Sequence, residues 1–369
     1  MIQERVLVTG GAGFIGGTLV AELLARGHRV TIFDDLSGAA DDWWEPFGGR
    51  PSGAGDVDAE PDAELRFIHG DVRDREAVDA ALAGHEIVVH LAAHTDIRAG
   101  LVDPHRDLAI GVIGTWNVLD AMRRLDIRTL LYASSGTIYG TPAVVPTPED
   151  HGPLLPESHY AAAKLAGEAL ISGFAALHDL RALIFRFGNT VGARSDHGVV
   201  HDLVVKLLRD PSRLELMGDG RQAKPYVAVE DVVAGMLHAL AQPPQRPVAT
   251  YNVGTAGTLT VDRVADLVVQ ALGLDEAAVA RTFLGASPVG GGGWPGDTPL
   301  VDFDTSRLVS IGWRPRWSAE EAVLRAAAGT AVRMMNGNRP LLTADERRAA
   351  GRRAGGDKSP TRTAIATAS

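Results

Sequence analysis

The chain contains no cysteine, which excludes disulfide bridges, cysteine-ligated zinc, covalently attached haem and cysteine nucleophiles. It also lacks any apolar run near the roughly 18 residues that a membrane-spanning helix needs, so no membrane partner is expected. A secretory signal peptide is not predicted, because Glu4 precedes the first apolar stretch and Gly10 and Gly11 interrupt it. The default expectation is a cytoplasmic protein.

Positive charge is scarce as well, since 36 lysine and arginine residues face 46 aspartate and glutamate residues and the net charge is −10. A general nucleic-acid binder needs a basic face, so this balance argues against a nucleic-acid partner. No metal site is predicted, because His90 and His94 lack a suitably spaced third ligand. His197 and His201 have the four-residue spacing of a helical metal pair but lack an acidic partner resembling a metalloprotease motif. We expect the first pair at a strand end and its loop, and the second at the surface where a helix begins.

Short apolar runs alternate with longer amphipathic segments through the first 190 residues. Six of these runs have the length and composition of buried strands, at 6–8, 30–33, 65–68, 87–91, 129–133 and 183–187. Strands that alternate with helices predict an α/β fold, a Rossmann-type doubly wound parallel sheet with helices on both faces. The ligand is expected at the carboxyl ends of the strands.

The pattern changes after Gly192, which predicts a smaller C-terminal lobe with helices at 199–209, 229–241 and 261–272 and a short strand near 215–217. The expected division is a nucleotide-binding domain (1–190), a substrate-binding lobe (191–342) and a disordered tail (343–369) without an apolar period. Between residues 36 and 64, a Gly- and Pro-rich stretch predicts a surface loop that Trp43 and Trp44 anchor.

The first predicted strand leads into TGGAGFIG, which begins at Thr9 and is followed by an amphipathic helix. Gly10, Gly13 and Gly16 permit a tight turn in which backbone amides approach a pyrophosphate at the helix N-terminus. The strand before and the helix after favour a dinucleotide site over an ordinary glycine-rich turn. Asp34 ends the second strand, where a carboxylate binds the adenosine ribose and repels a 2′-phosphate, so the predicted cofactor is NAD rather than NADP. The alternative is that Asp34 only opens the next loop.

Further motifs follow in order: GDVRD from Gly70, HLAA from His90, SSGTIYG from Ser134, YAAAK from Tyr160 and RFGNTVGAR from Arg186. Together with the glycine turn, they resemble the extended short-chain dehydrogenase/reductase family, specifically its nucleotide-sugar epimerases and dehydratases, over residues 4–330. The resemblance implies an NAD-dependent enzyme with a nucleotide-sugar substrate. It also implies cofactor contacts from Phe14 and Ile15 in the turn, from Asp71 and Val72 beside the adenine, and from Ala92 and Ala93.

Tyr160 and Lys164 are four residues apart, so a helix presents both side chains on one face. An unperturbed tyrosine has a pKa of about 10, and a neighbouring ammonium favours its phenolate, the form that acts as a base. By resemblance, these two residues and Ser135 are the catalytic triad and also hold the nicotinamide ribose and the substrate. Ser134 is expected to face the other way at the strand end.

The two residues after the serine indicate the reaction. By resemblance, sugar 4,6-dehydratases place Asp and Glu there, whereas this chain has Gly136 and Thr137, which supply no general acid. A hydroxyl at the second position is similar to hexose 4-epimerases. The prediction is therefore epimerisation at C4 through a transient 4-keto sugar. The alternatives are a dehydratase or decarboxylase whose acids come from elsewhere, and a dinucleotide-sensing regulator that no longer turns over.

The resemblance also implies further substrate contacts, although several positions depart from the family pattern. Lys224 stands where an arginine usually contacts the diphosphate, Trp294 replaces another arginine, and Gly111 replaces a cofactor-facing asparagine. Val301 replaces a bulky aromatic and leaves room for an N-acetyl group, unless it is only a core residue. The glycines at 290–293 predict a lid over the sugar or a plain linker. The expected substrate contacts are Ser135, Thr137, Asn189, Arg194, Lys224, Asp297 and Val301.

The resemblance also implies a homodimer formed by helices at 105–125 and 159–178. Both segments carry more apolar residues at helical spacing than one buried face needs. The residues expected to contribute are Ile113, Trp116, Leu119, Leu165, Ala169 and Ser172.

Overall fold

The computed structural model describes residues 3–54, 60, 63–242, 246–285, 292–337, 343 and 346. Most of the predicted tail, and Gly290 and Gly291 of the glycine run, lie outside these residues. Within the described part of the chain, no helix is both long and apolar enough to cross a membrane.

Seven parallel strands form the central sheet, which confirms the predicted doubly wound fold. The strands are β1 (Arg5–Thr9), β2 (Arg29–Asp34), β3 (Leu65–His69), β4 (Ile87–His90), β5 (Thr129–Ser135), β6 (Arg181–Phe187) and β11 (Val248–Val253). Their spatial order is β11-β6-β5-β4-β1-β2-β3, so the order in which strands are added to the sheet reverses between β1 and β4. In a sheet of this kind, the carboxyl ends of the strands on either side of this reversal form the ligand crevice.

Ten α-helices, several short 3-10 or π-helical segments and six further strands complete the described structure. The helices are α1 (Phe14–Ala25), α2 (Arg75–Leu82), α3 (Pro104–Asp107), α4 (Thr115–Arg124), α5 (His159–His178), α6 (Val199–Arg209), α7 (Val229–Ala241), α8 (Val261–Ala271), α9 (Ser306–Ser310) and α10 (Ala319–Asn336). The other strands are β7 (Asn189–Val191), β8 (Arg213–Leu216), β9 (Ala223–Lys224), β10 (Tyr226–Ala228), β12 (Leu259–Thr260) and β13 (Ala280–Phe283).

Helices cover both faces of the sheet because each strand buries side chains in both directions. On one face, α1 and α7 pack Leu19, Leu23 and Met236 against the sheet. On the other face, α2, α4 and α5 contribute a second core that includes Val118 and Phe174. The burial of apolar side chains on both faces explains why the strands read as continuous apolar runs.

The central sheet extends past the predicted domain boundary at residue 190, because β11 belongs to it. After β10, the chain returns to the larger part of the molecule, where α7 joins the core beside α1 and β11 pairs with β6. The smaller lobe is therefore built from the segments between β7 and α7 and from those after β11. Its core brings α6, α8 and α10 together with β8 and β10.

Of two local features, one departs from the prediction and one agrees with it. The segment predicted as one helix over 105–125 contains a π-helical stretch, Leu108–Gly114, between α3 and α4. The 36–64 loop is anchored as expected by Trp43, which is 6 % exposed and lies 4.9 Å from Phe67 between ring centroids. Trp44 contacts Trp43 edge to face.

Candidate active site

The glycine turn fits a bound pyrophosphate because it has no space for side chains. A β-carbon at Gly16 would lie 2.3 Å from the Gly10 carbonyl oxygen, and one at Gly10 would lie 2.7 Å from the Ala92 amide nitrogen. Gly10 has a φ of +71°, which side chains rarely adopt. Gly13 then provides the N-cap of α1, so the helix amides after it point toward the turn.

The Asp34 carboxylate lies at the end of β2 beside this turn. Its two oxygens accept hydrogen bonds from the amides of Ala12, at 3.0 Å, and Leu36, at 2.8 Å. Burial raises the pKa of Asp34, and these two amide bonds oppose that rise. The carboxylate is thus fixed in orientation at the position where a cofactor ribose is expected.

The other predicted cofactor residues lie around the same crevice. Phe14 packs near Gly192, where a β-carbon would be 3.0 Å from its ring, and Ile15 packs against the core beneath α1. The Ala92 amide donates to the Thr9 hydroxyl, and Ala93 follows it beyond β4.

Asp71 and Val72 follow β3 and differ in their surroundings. Arg73 forms a bidentate ion pair with Asp71 and lowers the pKa of that carboxyl. The Val72 side chain is 5 % exposed and packs beside Gly114, and its carbonyl accepts from Asn117.

Ser135 ends β5 and begins a tight turn that carries the residues expected to indicate the reaction. Its Oγ accepts hydrogen bonds from the Thr137 amide at 3.2 Å and the Thr137 hydroxyl at 2.9 Å. A β-carbon at Gly136 would lie 2.0 Å from the ring of Phe303. The neighbouring aromatic ring therefore occupies the space into which an acidic side chain at position 136 would have to extend.

Tyr160 and Lys164 occupy one face of α5, whose N-terminus is capped by Ser158. The Lys164 ammonium donates to the Ala133 carbonyl at 2.6 Å and lies 5.9 Å from the centroid of the Tyr160 ring. Burial raises the pKa of Tyr160 to about 12, and a hydrogen bond with Ser135 opposes the rise. Burial also lowers the pKa of Lys164 to about 8. Additional positive charge near the phenol is therefore needed before the phenolate forms at neutral pH.

Sequence reasoning missed the polar groups beneath this triad. The Ser134 hydroxyl donates to Glu168 at 2.5 Å, and Glu168 forms a bidentate ion pair with Arg186. Ser134 thus faces away from the crevice, as expected. The position of Glu168, one helical turn after Lys164, was the available signal.

The predicted substrate residues of the smaller lobe are brought together in part. Lys224 forms an ion pair with Asp297 at 3.0 Å, and both side chains are 13 % exposed. Asn189 begins β7, which pairs with β10 next to Tyr226. Arg194 instead contacts the 36–64 loop, and its guanidinium donates to Glu45 at 2.8 Å and to the carbonyl oxygen of Asp42 at 2.6 Å.

Val301 and Gly111 are both packed against the catalytic elements. Val301 is 9 % exposed and belongs to a small apolar cluster with Ile138 and Phe303 behind the serine turn. A β-carbon at Gly111 would lie 2.8 Å from the β-carbon of Ala163, so the π-helical segment lies too close to α5 for a larger residue.

The four histidines considered for metal binding lie in other surroundings, and His197 pairs with the neighbouring Asp196 carboxylate at 2.6 Å. Among the described residues, no group of three or more candidate ligands could hold a metal ion. His90 is buried between the Thr9 and Thr115 hydroxyls, and His94 lies 3.5 Å from the Asp107 carboxylate. His201 is 2 % exposed, in contrast with the expected surface position, because it lies on the buried face of α6.

Comparison with known proteins agrees with this geometry. The NAD dependent epimerase/dehydratase family model matches residues 6–254. A UDP-glucose 4-epimerase from Mycolicibacterium smegmatis is 32 % identical over 333 residues, which cover 87 % of this chain and 96 % of that protein. A dTDP-glucose 4,6-dehydratase from Actinoplanes is 28 % identical, over 84 % of this chain and 97 % of that protein.

A solved structure is similar as well. The UDP-glucose 4-epimerase of Thermus thermophilus in complex with NAD superposes with a TM-score of 0.74 and 31 % identity, over 89 % of this chain and 99 % of that one. The chain belongs to the NAD-dependent epimerase/dehydratase family, and its cofactor is NAD.

Proposed function

We propose that this protein epimerises a nucleotide-activated hexose, a UDP-sugar, at C4 through a transient 4-keto intermediate. The observation that carries the proposal is the serine turn. Gly136 is packed against Phe303 and the Thr137 hydroxyl is bonded to Ser135, so neither position offers the acid that elimination of water requires. The relatives include dehydratases, and those enzymes therefore define the main alternative.

The glycine turn and Asp34 would hold NAD, which would supply the hydride acceptor and donor for C4. The chain's own side chains transfer the proton. Tyr160 takes the proton of the C4 hydroxyl as that carbon is oxidised and gives it back when the ketone is reduced. Ser135 hydrogen-bonds the reacting oxygen, and the Lys164 ammonium stabilises the phenolate.

Between the two hydride transfers, the keto sugar has to rotate while its nucleotide stays bound. Asn189, Lys224 and Asp297 are proposed to hold the nucleotide end of the substrate. Lys224 is paired with Asp297, so a phosphate that binds Lys224 also lies near the Asp297 carboxylate. Arg194 is a weaker candidate for this role, since carboxylate and carbonyl oxygens of the 36–64 loop already occupy its guanidinium.

The test is incubation of the purified protein with UDP-glucose, UDP-N-acetylglucosamine, UDP-glucuronic acid and dTDP-glucose, with products identified by mass spectrometry and NMR. Epimerisation leaves the mass unchanged and inverts the configuration at C4. Loss of water or of carbon dioxide would instead establish a dehydratase or a decarboxylase. Binding of NAD without conversion of any sugar would favour the regulator.

Retention of the cofactor provides an independent measurement. An epimerase oxidises and reduces the same carbon, so we expect denaturation to release NAD in near-stoichiometric amount. Steady formation of free NADH during turnover would contradict the proposal and favour a dehydrogenase. The Tyr160→Phe variant should still bind NAD but lose activity by about 100-fold or more.

A further inference from the structure

A buried ion pair lies directly beneath the proposed catalytic residues. Arg186 on β6 donates from Nη2 and Nε to the two carboxylate oxygens of Glu168 on α5, at 2.7 and 3.0 Å. The two side chains are 6 % and 8 % exposed. Removing two charges from water is costly, and such a pair often contributes little net stability. The function of the pair is therefore indicated by the groups that it contacts and holds in place, since its stability alone does not explain it.

The pair contacts the serine turn at both of its ends. On one side, the Ser134 hydroxyl donates to the Glu168 Oε1 atom at 2.5 Å, immediately before Ser135. On the other side, Arg186 Nη1 donates to the Tyr139 hydroxyl at 2.8 Å, at the last residue of the turn. Ser135, Gly136 and Thr137 lie between these two contacts.

Further bonds fix the pair to the rest of the fold. The Tyr139 hydroxyl donates to Asn252 Oδ1 at 2.7 Å, and the Asn252 side chain donates to the Thr147 carbonyl at 2.9 Å. Arg186 also donates to the Glu149 carbonyl at 2.8 Å. The network thus joins β5, β6 and β11 with the turn, and each of these buried polar groups has a partner.

Glu168 is also the anion closest in sequence to Lys164 on the same helix. The ammonium donates to the Ala133 carbonyl at 2.6 Å and lies near the rings of Tyr132 and Tyr160, and these three contacts supply no formal negative charge. The Asp107 carboxylate of α3 also acts on this site, where it adds to burial in raising the pKa of Tyr160. Burial lowers the pKa of Lys164, and the Glu168 carboxylate opposes that effect.

We propose that Glu168 and Arg186 are the positioning pair of this enzyme: they hold the serine turn in register with Tyr160, and Glu168 keeps the Lys164 ammonium charged. The proposal rests on the proposed function for its activity measurements. It makes two separate statements, one about geometry and one about charge, and each has its own variant.

The charge statement is tested by titrating Lys164 in the NAD-loaded protein. The lysines of this chain are Lys164, Lys206, Lys224 and Lys358, so NMR of protein labelled at the lysine ε-carbon gives a small set of signals that Lys→Arg variants assign. Glu168→Gln keeps the shape and one of the two acceptor oxygens but removes the charge. We expect the titration midpoint of Lys164 to fall, and the high-pH limb of kcat to move to lower pH with it.

The geometric statement is tested with Ser134→Ala, which deletes one hydroxyl and leaves the ion pair intact, and with Arg186→Lys, which keeps the charge and loses the two-pronged contact. We expect kcat to fall by about 10- to 100-fold in both variants, because small misplacements of reacting groups have effects of this size. KM and NAD content should stay near the wild-type values. Asp120→Asn is the matched control, since it removes a nearly buried carboxylate that is paired with Arg123 and Arg124 on α4.

The outcomes separate this proposal from the proposed function. If the wild type converts no sugar, the function fails, yet the lysine titration still tests Glu168. An unchanged Lys164 midpoint in Glu168→Gln would refute the charge statement. Wild-type kcat in Ser134→Ala would refute the geometric one, and so would a loss of activity that only follows a loss of folded protein. If Glu168→Gln does not fold, the lysine titration is made with Glu168→Asp, whose shorter side chain holds the carboxylate closer to the helix backbone. An unchanged Lys164 midpoint in that variant likewise contradicts the charge statement.

Discussion

At the scale of single residues, one buried histidine that feels the Lys164 charge stays neutral. His90 bridges two threonine hydroxyls, with 2.7 Å to Thr9 Oγ1 and 3.1 Å to Thr115 Oγ1. Burial, and secondarily the Lys164 charge, lowers the pKa of His90 to about 3. A neutral imidazole in this position adds no positive charge that would compete with Lys164.

This pKa predicts how stability depends on pH. The unfolded chain binds the imidazole proton near pH 6.5, whereas the folded state binds it only near pH 3. Unfolding therefore takes up a proton in this window, and the free energy of unfolding falls as the pH is lowered from about 6.5 toward 3, by a few kcal/mol at most. Chemical denaturation between pH 7 and 5 should show a shallower fall for His90→Gln, while the exposed His105→Gln should follow the wild type.

Val301 offers a prediction about the substrate at the same scale. Its side chain lies in the cluster behind the serine turn, where a larger residue would intrude on the volume proposed for a C2 substituent. Overpacking of this kind costs about 1 to 3 kcal/mol. We expect Val301→Tyr to depress turnover of UDP-N-acetylglucosamine selectively, compared with UDP-glucose and with Val301→Ala. An equal loss for both sugars would mean that Val301 only fills the core.

At the scale of elements, the 36–64 loop joins the two parts of the molecule. Asp42 and Glu45 meet Arg194, which follows β7, and Asp42 also pairs with Arg333 of α10. Because the loop begins just after Asp34, these ion pairs bridge the ribose side of the cofactor crevice to the smaller lobe.

Loss of this bridge should speed cofactor release. Two partly exposed ion pairs and one backbone bond contribute about 1 to 2 kcal/mol, so we expect Arg194→Ala to raise the dissociation rate of NAD by about 5- to 30-fold. Cofactor remaining after timed dilution and filtration is the measurement. Arg213→Ala, which removes an exposed arginine paired with Asp210, is the control. Equal retention in both variants would show that the bridge does not restrain NAD.

The elements also show how far sequence reasoning extends. Six strands of the central sheet and the helices at 199–209, 229–241 and 261–272 follow from apolar periodicity, because that pattern is local. The return of β11 to the sheet does not, since a buried strand carries no mark of its partner. The π-helical stretch around Gly111 depends on close contact with Ala163, and the capture of Arg194 depends on a loop distant in sequence. The motif residues, Arg186 among them, were recognisable, whereas the pairing of Glu168 with Arg186 requires the three-dimensional contact.

At the scale of the whole molecule, several apolar side chains are exposed on α4, on α5 and on the π-helical segment before α4. Ile113 and Trp116 are each 48 % exposed, and Leu177 is 76 % exposed. Leu119, expected on this surface, is only 1 % exposed and belongs to the core instead. The remaining residues lie on α4, on α5 and on the segment between α3 and α4, the region where the sequence predicts a homodimer.

The last prediction is that this surface joins two copies of the chain. Trp116 packs edge to face on Phe174, at 5.3 Å between ring centroids, so its ring is held in place on α4 and presents a rigid apolar face. Rigid aromatic side chains of this kind dominate interface energies, and truncating one typically costs about 2 kcal/mol or more. We expect the wild type to sediment as a dimer at micromolar concentration and Trp116→Glu to weaken association by at least about 30-fold. Met335→Glu alters another exposed apolar residue, on α10, at 66 % exposure, and should leave the dimer intact. A monomeric wild type, or equal weakening by both variants, would contradict an interface built on α4 and α5.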